Sequence, residues 1–77
     1  MLIKIKGHAD MRRYTAHLSS DGDLEIPEGT TIATVLEMLK VPSELKKILI
    51  VNGRHSAYDY ILKPGDTLAF FPPLEGG

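Results

Sequence analysis

Thr30-Thr31-Ile32-Ala33-Thr34-Val35-Leu36-Glu37-Met38-Leu39-Lys40 is the stretch that decides the fold of this 77-residue chain. Ile32, Val35, Leu36 and Leu39 fall at i, i+3, i+4 and i+7, one face of an α-helix. Thr30 and Thr31 stand where an N-cap belongs, because a hydroxyl there accepts from an orphan backbone N–H. Lys40 suits the negative end of the helix dipole. Pro42 stops the helix and opens a short turn through Ser43–Lys47. This is the clearest periodic segment of the chain.

Outward from the helix, the chain reads as strands. Residues 2–6 alternate with period two, as a half-buried strand does. Leu24-Glu25-Ile26 is a second strand, preceded by the turn Asp21-Gly22 and stopped by Pro27 and Gly29. Ile48-Leu49-Ile50-Val51 is a continuous apolar run rich in branched residues and reads as a buried strand. Asn52-Gly53 is a hairpin turn. Residues 54–63 hold a short edge strand or an irregular segment. Pro64-Gly65-Asp66 is a tight turn, and Thr67–Phe71 is the last strand. Residues 8–21 read as a long loop with an extended piece at Tyr14–Leu18. With one helix to cover four or five strands, the simplest packing is a two-layer α+β domain. The first and last strands belong side by side in its centre.

Composition narrows the function classes. The formal net charge is −1, without the basic face of a dedicated nucleic-acid binder. There is no cysteine, so disulfides, thiolate metal sites and thiol nucleophiles are excluded. That suits a cytoplasmic protein. Met1–Lys6 alternates apolar and charged residues and reads as a strand, not a signal peptide. No apolar run approaches the roughly 20 residues a membrane span needs. His8, His17 and His55 lack metal-ligand spacing and read as surface residues, so no metal site is expected. Arg12-Arg13, with Arg54, read as solvated, the rival being an acidic partner surface. Gly53 and Gly65 are turn glycines. Asp59 and Asp66 form no acid/base pair in motif terms, and no catalytic constellation emerges.

The sequence closes on Phe70-Phe71-Pro72-Pro73-Leu74-Glu75-Gly76-Gly77. By composition a terminal glycine pair arises in about one chain in two hundred. Such an end offers a carboxylate on the slimmest backbone, able to enter a site where a side chain would clash. The Gly77 carboxylate is therefore read as the functional group. Pro72-Pro73 stiffens the root of the tail, and residues 72–77, extended, reach about 20 Å. The expected division is a domain at 1–71 and a tail at 72–77. Strand alternation buries one of Phe70 and Phe71 and leaves the other beside Pro72, Pro73 and Leu74. Phe70, Phe71, Pro72 and Pro73 are together assigned to a partner interface.

Four pieces of this chain now form a pattern. They are Pro27-Glu28-Gly29-Thr30-Thr31 before the helix, Val51-Asn52-Gly53 after the third strand, Leu62-Lys63-Pro64-Gly65-Asp66 before the last strand, and the closing Phe70–Gly77. In this order the chain resembles the MoaD/ThiS family of ubiquitin-like sulfur carriers, which includes the molybdopterin synthase small subunit and the thiamine sulfur carrier. The resemblance implies a β-grasp fold. It further implies that an adenylating enzyme similar to ubiquitin-activating enzymes uses ATP on the Gly77 carboxylate. A sulfur donor then displaces AMP, and the resulting thiocarboxylate serves an acceptor enzyme of the molybdopterin synthase large-subunit or thiazole synthase type. Gly76, Glu75 and Leu74 would form the tail that enters the partner's channel. No bound cofactor is expected.

The expected role is a protein substrate and carrier, not a free-standing enzyme. It could still be the small subunit of a heteromeric synthase. Glu75 departs from the small residue common at that place in the family. A buried carboxylate is costly, so the partner supplies a basic group or Glu75 stays at the channel mouth. The aromatic-proline ending leans to the molybdopterin branch, and the compact length and Pro27–Thr31 lean to the thiamine branch. Two rival readings stand beside the carrier: a protein modifier conjugated through Gly77, and a non-reactive ubiquitin-like interaction domain.

Overall fold

The computed structural model describes residues 1–73. Its strands are β1 (Leu2–Gly7), β2 (Asp23–Glu25), β3 (Ile48–Val51), β4 (Arg54–His55) and β5 (Thr67–Phe71), with one α-helix, α1 (Ile32–Met38), between β2 and β3. They form a five-stranded sheet in the order β2-β1-β5-β3-β4. β1 and β5 pair in parallel, and every other ladder is antiparallel. The first and last strands are therefore central, as their apolar alternation predicts. This mixed sheet with a helix on one face is the β-grasp arrangement.

The register explains the core. Ile3 and Ile5 of β1, Leu68 and Phe70 of β5, and Leu49 and Val51 of β3 are all buried. Alternate residues of a strand share a face, so these six make one surface. On it lie Ile32, Val35, Leu36 and Leu39, the four residues of the predicted helical stripe, none more than 5% exposed. Burying each contributes about 2 kcal/mol.

The helix ends are built locally. The Thr31 hydroxyl accepts from Thr34 N at 3.3 Å and is the N-cap. Thr30 instead donates to the Pro27 carbonyl at 2.7 Å. At the other end, Lys40 has φ 63°, Lys40 N donates to Glu37 O, and Val41 N donates to Leu36 O. That is a Schellman ending with a lysine where glycine is favoured. The position of Lys40 is thus fixed by backbone geometry.

Residues 8–21 differ from expectation. Ala9–Tyr14 is a 3₁₀ helix, and residues 15–18 continue as turns and a bend, so the extended piece expected at Tyr14–Leu18 is absent. The cause is a chain of i→i+3 bonds: Met11 N to His8 O, Thr15 N to Arg12 O and Leu18 N to Thr15 O. Met11, 4% exposed, is the buried side chain of this segment, and Tyr14 and Leu18 pack against the core beside it. The segment is tied back to β1 where Ile5 N donates to Gly22 O at 2.8 Å. Gly22 has φ 74°, and a Cβ there would lie 2.2 Å from the Ile5 carbonyl oxygen, so no other residue fits.

Candidate functional site

β5 has two very different ends. At its start, Asp66 is 6% exposed. Its carboxylate accepts from Asn52 Nδ2 at 2.8 Å, Lys63 N at 2.9 Å and Tyr60 Oη at 3.1 Å. Asn52 also accepts from Thr67 N at 2.9 Å. Asn52 and Gly53 both have positive φ, 51° and 85°, which a two-residue hairpin with matching twist requires. One carboxylate thus ties the β3–β4 hairpin, the Tyr60 segment and the turn before β5. Burial pushes the Asp66 carboxyl up, but the bonds from Lys63, Asn52 and Tyr60 outweigh it and hold it below the ordinary value. Tyr60 is raised, by burial first and by its bond to Asp66 second. Asp66 is therefore a structural knot.

At its other end β5 delivers the chain to Pro72-Pro73. Phe70 is fully buried, so it belongs to the core and leaves the expected interface. Phe71 is half-buried and points to the sheet face without the helix. There it pairs across strands with Ile48, while its neighbour on that face, Ala69, pairs with Ile50. The His8 ring meets Phe71 edge-on, 6.1 Å between centroids. The result is a half-buried apolar strip of Ile48, Ile50, Ala69 and Phe71 that runs into Pro72 and Pro73.

Ile48 and Ile50 are the site residues the sequence reading missed, since it took 48–51 as wholly buried. Only Leu49 and Val51 are buried. The clue was available: where one helix covers one face, a continuously apolar strand must show half its side chains on the other. The strip beside the start of the tail is the candidate docking surface of this chain.

Leu74, Glu75, Gly76 and Gly77 lie outside the described residues, so the expected reactive end and channel residues have no described geometry. Among the described residues, no group of three or more His, Asp or Glu is arranged to hold a metal ion. No described helix is long and apolar enough to cross a membrane.

Residues 9–77 match the ThiS family. The chain belongs to it. The ThiS-family assignment agrees with the four motifs quoted above and covers all but Met1, the first strand and His8. No curated protein matches the chain. Among solved structures, SAMP1 from Haloferax volcanii is similar with a TM-score of 0.76 and 22% identity, over 100% of both chains. A Pyrococcus furiosus protein assigned as molybdopterin converting factor, subunit 1, gives 0.75 and 25% identity, over 96% of this chain and 99% of that one. A structure of Haloferax volcanii small archaeal modifier protein 1 gives 0.74 and 21% identity, over 95% and 98%. The Haloferax likenesses carry the fold alone. The ThiS-family chain is therefore a small ubiquitin-fold protein of the sulfur-carrier family.

Proposed function

We propose that this ThiS-family chain carries sulfur as a thiocarboxylate on Gly77. The observation that supports the reading most is that the matched residues, 9–77, include Gly76-Gly77, downstream of a central strand whose exit is flanked by an open apolar strip. A carboxylate oxygen of Gly77 attacks the α-phosphorus of ATP in an adenylating partner, and pyrophosphate leaves. Sulfide from a sulfur donor then attacks the acyl carbon. AMP leaves, and a proton is released as the thiocarboxylate forms. A thiocarboxylate is a strong nucleophile that needs no cysteine, in keeping with a chain that has none.

The protein's own share is positioning. The strip of Ile48, Ile50, Ala69 and Phe71 docks on the partner while Pro72-Pro73 directs Leu74, Glu75 and the glycines into its channel. The Pyrococcus likeness favours a larger molybdopterin synthase-type subunit as acceptor; a thiazole synthase-type acceptor is the other branch. ATP is consumed by the partner and not bound here, and the setting is cytoplasmic.

Intact mass spectrometry tests the reading. Incubation with ATP, a sulfur donor and the adenylating partner replaces one terminal oxygen by sulfur, a gain of about 16 Da from the exchange of one atom for the next in its group. Conversion that survives deletion of Gly77 sinks the proposal. Gly77-dependent species of higher mass in cell extracts, without a thiocarboxylate, would instead mark a protein modifier.

A further inference from the structure

The near-zero net charge of this chain hides a polarised surface. Two segments meet the exit of β5: the 3₁₀ helix at Ala9–Tyr14, and residues 39–47, which lead from the end of α1 to β3. His8 N donates to Phe70 O at 3.0 Å and holds the start of the 3₁₀ helix against β5. A groove of about 670 Å³ brings Arg13 and Tyr14, with Asp10 beside them, together with Leu45, Lys46, Pro72 and Pro73. A second groove, of about 420 Å³, joins the same Arg13 and Tyr14 to Met38 and Lys40. The two grooves share the Arg13–Tyr14 ridge, where the guanidinium lies 5.7 Å from the ring centre.

These two segments carry Arg12, Arg13, Lys40, Lys46 and Lys47 against Asp10 and Glu44. The rest of residues 1–73 carries Lys4, Lys6, Arg54 and Lys63 against seven carboxylates. The tail-root end is therefore positive and the remainder negative, by three charges each way. Among the described residues the ion pairs are Met1 with Glu25 and Lys4 with Asp23, both away from this end. Lys47 is held by the Leu45 carbonyl and the Tyr58 ring. Arg12, Arg13, Lys40 and Lys46 remain exposed. Lys40 stands at φ 63°, where glycine would relieve strain. Between the cations stand Met38 and Leu45, 46% and 36% exposed.

We infer that this positive, apolar-studded collar docks on an acidic protein surface around the mouth that receives the tail. The inference builds on the reading of the tail as the segment a partner accepts, and adds the chemistry of the partner's rim. Exposed cations ringed around one exit steer an approaching partner and set the on-rate more than the affinity. Carboxylates on the rim would pair with Arg13, Lys40 and Lys46, and apolar rim side chains would cover Met38 and Leu45. The same field turns the molecule tail-first before contact.

The test uses the full-length chain, isotope-labelled for amide NMR. The probe is a peptide of about twelve residues alternating Glu and Leu, which spans roughly 40 Å extended and covers both grooves. Amide shifts are expected at residues 9–14, 38–41 and 44–47. They should vanish at about 1 M salt, where the Debye length falls to about 3 Å. The double variant Arg13→Glu/Lys46→Glu should weaken binding about tenfold or more, whereas Arg54→Glu/Lys63→Glu should not. Unchanged melting temperatures show that each variant is folded. Equal weakening by both pairs, shifts centred on β4, or equal binding of an oligouridylate of similar charge would overturn the inference. The titration involves neither ATP nor sulfur, so it reads docking whether or not Gly77 is converted.

Discussion

The two ends of β5 stand roughly 13 Å apart and are organised on opposite principles. At its start, three segments close on the buried Asp66 carboxylate, and every side-chain bond there is internal. At its finish, half-buried apolar residues and exposed cations face outward. The contrast teaches that the tie that fixes β5 and the open surface it presents are separated along one strand. The knot fixes where β5 sits, so the exit can present its side chains without having to hold the fold together. No buried side-chain nitrogen or oxygen among the described residues lacks a partner, which is what such a division requires.

The contrast breaks most visibly at the tail. Deleting Gly77 should abolish partner-dependent thiocarboxylation, read by intact mass, while the melting temperature stays unchanged. Asp66→Ala should do the reverse. It leaves Asn52, Tyr60 and Lys63 N without their acceptor, which costs about 2–3 kcal/mol and lowers the melting temperature by roughly 10–20 °C. Below that temperature conversion at Gly77 should persist. A D66A protein of wild-type stability would remove the knot from the comparison.

The acid limb of stability supplies a linked check. The folded pKa of Asp66 is depressed, so its contribution is complete above the ordinary value of 3.8 and is lost as pH falls through the lower folded value. Urea titrations between pH 6 and strong acid should show a drop that D66A lacks.

Smaller effects sharpen the other end. Ile50→Glu sets a carboxylate on the open strip beside Ala69. It should lower kcat/KM for conversion by the adenylating partner about tenfold, at a stability cost under about 1 kcal/mol. Loss of stability without loss of kcat/KM would return Ile50 to a purely structural role. Smallest is Lys40→Gly. Relief of the left-handed backbone exceeds the extra entropy of the unfolded chain, so stability should rise by about 0.5–1 kcal/mol, measured by thermal melting. The same variant should weaken the acidic probe.

What sequence reasoning reached follows from how local each signal is. The α1 stripe, the Thr31 cap and the Asn52-Gly53 turn are written within a few residues, and all three stand in the structure. The central pairing of β1 with β5 followed from the preference of apolar-rich strands for full pairing. The 3₁₀ helix was illegible because its i→i+3 bonds leave no apolar period, and Met11 is its one fully buried side chain. The Asp66 knot was illegible because Asn52, Tyr60 and Lys63 reach it from separate segments, so no short motif encodes the cluster. At the site, the choice between Phe70 and Phe71 needed the register, which buries Phe70 and leaves Phe71 on the open face. The collar was hidden because residues 9–14 and 39–47 are neutralised in the overall charge by acids elsewhere.

The parallel pairing of β1 with β5 also has a mechanical meaning. Tension applied to the chain beyond Pro73 is delivered along the axis of a strand bonded on both sides, to β1 and to β3. Such a load cannot peel the ladders open one rung at a time. It must slide β5 past two neighbours and break their bonds together, while the Asp66 cluster anchors the far end of the strand. A machine that grips this tail, whether to empty it or to withdraw it from a channel, therefore loads both ladders of β5 at once.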